Sequence, residues 1–98
     1  MTRQPTHPGA VLREDVLPAL CITRKAFAES IQISRTMLYA ILNEEKPITP
    51  ETAIKLGIAL DNSPEMWLNM QMKYDIWVKR KMLMHELRTI KPVTALCT

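Results

Sequence analysis

The chain has 98 residues and a formal net charge of +3, which suits one small domain and argues against a general polyanion binder. Glycine occurs only twice and alternating apolar–polar runs are absent, so a sheet is not expected. The charge is unevenly placed. Arg24, Lys25 and Arg35 face only Glu29 between residues 23 and 36, and six basic residues face Asp75 and Glu86 between 73 and 91. Local basic patches on a near-neutral chain suit specific DNA binding, although the second patch reads equally well as a solvated helix face. Cys21 and Cys97 lack metal-site spacing and read as reduced thiols of a cytosolic protein. No run is long and apolar enough to span a membrane, and the first residues lack the apolar stretch of a signal peptide.

Capping signals mark five helices. Pro8 can open helix one, which carries Val11, Leu12 and Val16 and is expected to end at Pro18. Thr23 can cap helix two, with Ile22 and Phe27 as a hydrophobic staple, and this helix runs to about Ile31. Ser34 repeats the pattern for helix three, with Ile33 and Leu38, ending near Asn43. Glu44-Glu45-Lys46-Pro47 is a polar break. Thr49-Pro50-Glu51 starts helix four, which ends near Asp61-Asn62. Ser63-Pro64-Glu65 starts helix five, which meets no proline or glycine until Pro92. The glutamates in both first turns suit the helix dipole.

Helices two and three are separated by a short turn, and their caps, Thr23 and Ser34, are eleven positions apart. That is the layout of a helix-turn-helix. Phe27, Ala28 and Ile31 face inward from one helix, and Leu38, Ile41 and Leu42 from the next. The opposite face of helix three then shows Arg35, Thr36, Tyr39, Ala40 and Asn43. Such a face suits the major groove, where each base pair displays its own donor–acceptor pattern. Arg35 can bond guanine through both acceptors, Thr36 can touch a base edge or thymine methyl, Ala40 permits close approach, and Tyr39 can reach a phosphate. Spacing alone leaves an ordinary helical hairpin open.

Helix five carries two apolar stripes at about 100° per residue. Met66, Trp67, Met70, Tyr74, Trp77 and Val78 form one, and Leu68, Met72, Ile76, Leu83, Leu87 and Ile90 the other. The first can cover the chain's own core. The second is left for another subunit, and Leu68, Met72, Ile76, Leu83 and Leu87 are the candidate homodimer interface. The alternative is a helix buried wholly within one chain, for which 98 residues supply little mass.

The stretch TRKAFAESIQISRTMLYAILNEEK at residues 23–46 resembles the helix-turn-helix of the phage-repressor (Xre/Cro) family, through Ala28, Ser34, Arg35, Leu38 and Asn43. HPGAVLREDVLPAL at 7–20 is similar to the opening of HigA-type antitoxins, and ITPETAIKLGIALDNSPEMWLNMQMKYDI at 48–76 to their fourth and fifth helices. The chain departs from that pattern at Gln32 and Cys21, where glycine is usual, and at Ala10, where an acid is usual. A positive φ at Gln32 would cost about 1 kcal/mol or more.

The resemblance implies an all-α, five-helix, phage-repressor-like domain over residues 1–91, with its helix-turn-helix near 23–43, a dimerisation helix near 64–90 and a flexible tail at 92–98. It implies base contacts from Arg35, Thr36, Met37 and Ala40, with Tyr39 beside them. Phosphate contacts would come from Ser34, Arg24, and Asn43 or Lys46. It also implies a protein partner, a HigB-type toxin that cleaves messenger RNA, and repression of a shared operon through double-stranded operator DNA. Helix one and the N-terminal segment are the candidate toxin-facing surface.

Three other readings compete. Catalysis lacks a nucleophile–base arrangement or a phosphate-cradling loop, since His7 and His85 lie far apart in sequence; no cofactor or metal is expected. A stand-alone or prophage repressor would share the DNA-binding face. A pure protein-interaction module would not need it.

Overall fold

Each long helix starts where a side chain occupies one of its free N–H groups. The computed structural model describes residues 3–93. Helix α1 (Pro8–Val11) begins at His7, whose ring Nδ1 accepts from the Gly9 N–H at 2.8 Å. Beyond it lie a wider, π-type turn (Leu12–Val16) and α2 (Leu17–Leu20). Helices α3 (Arg24–Ser30), α4 (Arg35–Leu42), α5 (Pro50–Leu60) and α6 (Pro64–Met82) begin at Thr23, Ser34, Thr49 and Ser63. In all four, the cap hydroxyl accepts from the N–H three residues on, a contribution of about 1 kcal/mol each. A final turn, α7 (Met84–Leu87), follows. No strand occurs among the described residues.

The first helix does not stop at Pro18. Across the wide turn the Leu17 N–H bonds back to the Leu12 carbonyl, five residues earlier, and the helical path continues through Pro18 into α2. Proline has no N–H to lose, and the widened turn relieves the pressure of its ring on the preceding carbonyls. The path ends instead at Cys21, which adopts a left-handed conformation with φ 53°.

Packing follows the apolar spacing. Helix α3 packs on α4, α5 on α6, and α1 on both α4 and α6. Phe27, Ala28 and Ile31 meet Leu38, Ile41 and Leu42 in the core, joined by Leu12, Leu56 and Trp67. Each large apolar side chain buried there contributes roughly 1.5–3 kcal/mol before entropy is counted. Gly9 lets α1 lie directly on the carbonyl end of α4: a Cβ there would fall 1.8 Å from the Ile41 oxygen.

The rotation of α6 is set by a polar residue. Gln71 is buried beside Trp67; its Oε1 accepts from the Ile48 N–H at 2.8 Å, and its Nε2 donates to Asp75 Oδ1 at 2.9 Å. With Trp67, Gln71 and Tyr74 facing inward, Leu68 falls on the flank, at about 100° from Trp67. Leu68 therefore packs partly against the core instead of standing on the outer stripe. Met66, assigned by its spacing to the inner stripe, is 41% exposed for the same reason. Helix α6 is also shorter than its sequence suggests. It gives way at Leu83 to the single turn of α7, and residues 84–93 are all exposed. The protruding arm makes the molecule 60 Å long with a radius of gyration of 17.4 Å, against roughly 13 Å for a compact domain of this length.

Candidate nucleic-acid interface

Between α3 and α4 the chain turns through Ile31, Gln32, Ile33 and Ser34. Ile31 is buried and Ile33 packs against the core, so the turn is pinned from beneath. Gln32 takes the left-handed conformation, φ 58°, at the position where glycine is usual. Its carbonyl accepts from Lys55 Nζ on α5 at 3.0 Å, and Lys55 is also paired with Glu51 at 3.3 Å.

Helix α4 is divided cleanly. Leu38, Ile41 and Leu42 are buried, while Arg35, Thr36, Tyr39 and the capping Asn43 are exposed and Ala40 is half-buried. Ser34 is exposed, with its hydroxyl oxygen bonded to the Met37 N–H at 3.0 Å. Met37 belongs to neither face: it is 37% exposed and lines a shallow hollow with Ile33, Thr49, Thr52 and Lys55. Arg24, the first residue of α3, reaches across the turn so that its guanidinium lies over the Tyr39 ring. Ser34, Arg35 and Thr36 thus gather at the start of α4. Asn43 and Lys46 lie at its other end, where the Lys46 N–H bonds back to the Ala40 carbonyl at 3.2 Å.

The carbonyl end of α4 is held by a residue that no local sequence signal marked. Arg13 Nη1 donates to the Leu42 carbonyl at 2.6 Å and to Glu44 at 3.2 Å, and Nη2 to Glu14 at 2.7 Å. Arg13 and Leu42 are twenty-nine positions apart, so spacing carries no trace of the contact. Beside it, His7 is buried with its ring edge-on to Tyr74, centroids 4.8 Å apart. Burial lowers the His7 pKa, with Glu44 and Asp75 pulling the other way and Arg13 adding to the fall. His7 is therefore a structural cap, as its place before Pro8 implies.

On the outer side of α6 and α7, Met72, Ile76 and Leu87 are exposed at 50%, 43% and 41%, and Leu83 is half-buried. Leu68 does not join them. Among the described residues, no helix is long and apolar enough to cross a membrane.

Two short capped helices, joined by a turn and presenting the polar face of the second, define a helix-turn-helix protein. A family model described as helix-turn-helix matches residues 19–67. Antitoxin HigA-1 of Vibrio cholerae is 36% identical over 91 residues, covering 93% of this chain and 86% of that protein. The Pseudomonas aeruginosa antitoxin HigA, solved with the higBA promoter, superposes with a TM-score of 0.86 at 29% identity, covering 91% of this chain and 98% of that one. Antitoxin GraA in complex with its operator gives a TM-score of 0.87 at 27% identity, covering 97% of each chain. The chain belongs to the helix-turn-helix family and, within it, to the HigA-type antitoxins. This is a family of DNA-binding regulators and antitoxins, not an enzyme class.

Proposed function

We propose that this protein is an antitoxin that binds operator DNA to repress its own operon and neutralises a HigB-type messenger-RNA endonuclease. The observation that carries the DNA-binding half is the division of α4, with three buried apolar residues behind an exposed arginine, threonine and tyrosine. In this reading α4 enters the major groove. Arg35 bonds guanine, Thr36 meets an adjacent base edge, Ala40 allows close approach and Met37 stands at the margin. Ser34, Arg24, Tyr39, Asn43 and Lys46 hold phosphates along the same groove.

The antitoxin half rests on family membership. Helix α1 and the segment before it are the candidate toxin-facing surface. The exposed stripe of Met72, Ile76 and Leu87 is the candidate homodimer interface, with Leu83 at its edge, and a two-fold pair would match a palindromic operator. The protein acts in the cytoplasm and carries no catalysis, cofactor or metal of its own.

The test has two arms. Purified protein titrated onto a duplex from upstream of its own gene should bind it in preference to a scrambled duplex. Co-expression with the neighbouring reading frame should relieve that product's toxicity, and the two should purify together. Equal binding to both duplexes would remove the repressor reading. Unrelieved toxicity, or a harmless neighbour, would leave a stand-alone repressor.

A further inference from the structure

The α4 helix is gripped at both ends by cations that stand outside its exposed face. At the entrance, Lys55 of α5 donates to the Gln32 carbonyl at 3.0 Å. At the exit, Arg13 donates to the Leu42 carbonyl at 2.6 Å. Each cation is anchored on its own element, Lys55 by Glu51 and Arg13 by Glu14. Both side chains are 30% exposed.

We propose that Lys55 and Arg13 are positioning residues that set the angle at which α4 meets DNA. The proposal rests on the reading of α4 as the recognition helix. At the exit, a cation on one of the last carbonyls of a helix is favoured by the helix dipole and occupies a group with no partner inside the helix. At the entrance, Gln32 sits in a conformation that its side chain disfavours, and the Lys55 bond fixes the orientation of the peptide that leads into Ser34. An eight-residue helix is only about 12 Å long, so a tilt at either end moves Arg35 relative to base edges. A displacement of this kind weakens bidentate base contacts more than phosphate contacts, which depend less on direction.

The experiment separates this role from a phosphate contact and from simple bracing of the fold. Arg13→Met, Lys55→Met, the donor-retaining Arg13→Lys and Lys55→Arg, and Arg35→Ala as reference are made in the full chain. Each is titrated, at several salt concentrations, onto the duplex that the wild-type protein protects upstream of its gene and onto a scrambled duplex. The folded fraction is measured by circular dichroism. We expect Arg13→Met and Lys55→Met to lose about tenfold on the protected duplex, little on the scrambled one, and nothing in salt slope. The donor-retaining variants should stay within about twofold of wild type, and they remain informative if a truncated variant fails to fold. Equal loss on both duplexes with the salt slope reduced by about one would make these residues phosphate contacts and overturn the proposal. Unchanged operator binding by folded Arg13→Met and Lys55→Met would also overturn it, as would loss of operator preference in the donor-retaining variants. If Arg35→Ala leaves the preference between duplexes untouched, the recognition-helix reading itself has failed, which is a separate outcome.

Discussion

The Arg24 guanidinium lies over the ring of Tyr39, 5.6 Å from its centroid, and ties the first residue of α3 to the middle of α4. The two side chains should therefore act as a pair. Arg24→Ala and Tyr39→Ala should each lower folding stability, and the double variant should lose less than the sum. The coupling should be about 0.5–1 kcal/mol, the range of an exposed cation–π contact. Tyr39→Phe keeps the ring and should keep most of that coupling. Additive losses in a double-mutant cycle on urea denaturation would mean that the contact contributes nothing to the fold.

Arg35 and Arg24 should differ in what they read. Arg35→Ala should narrow the gap between operator and random DNA, at a cost of roughly 1–3 kcal/mol on the operator. Arg24→Ala should weaken all duplexes alike and lower the salt slope by about one. Titrations at several salt concentrations check both. Equal losses on the two duplexes for Arg35→Ala would remove α4 as the recognition helix.

The turn should tolerate substitution by sign. Gln32 has φ 58°, so Gln32→Gly should stabilise the protein by about 0.5–1 kcal/mol, while a β-branched Gln32→Val should destabilise it. Urea denaturation reads both. A destabilising glycine would mean that contacts of the Gln32 side chain outweigh the backbone cost.

Stability should fall in mild acid. His7 is buried and its Nδ1 must stay unprotonated to accept from Gly9. Its folded pKa lies below the ordinary 6.5, so the unfolded chain binds the proton more readily. The His7 contribution is complete above that ordinary value and is lost as pH falls through the lower folded value. Denaturation midpoints at pH 7.5 and 5.5 should differ in the wild type and differ less in His7→Asn, which retains an acceptor and does not titrate. An equal difference in both proteins would place the acid sensitivity elsewhere.

The outer stripe should govern association. Met72→Glu with Ile76→Glu should give a monomer in sedimentation at micromolar concentration and weaken operator binding. Both residues are exposed, so the folded content should change little. Leu68→Glu should instead lower stability, because Leu68 packs partly against the core. A wild-type protein that is already monomeric at every concentration would rule out the dimer.

What was legible in the sequence was local. The caps at Thr23, Ser34, Thr49 and Ser63 involve groups three residues apart, and the buried faces of α3 and α4 follow a 3.6-residue period, so both can be read along the chain. Even the strained turn at Gln32 was visible as a departure from glycine. The tertiary structure decided what depends on residues far apart. Pro18 does not end its helix because the widened turn accommodates it. The rotation of α6 is set by Gln71 reaching Ile48, which moves Leu68 off the outer stripe. The grip of Arg13 on Leu42, like the approach of Gly9 to the Ile41 carbonyl, joins segments about thirty positions apart. Such contacts leave no periodicity, because they follow from how finished helices stack, and that is settled only when the core closes.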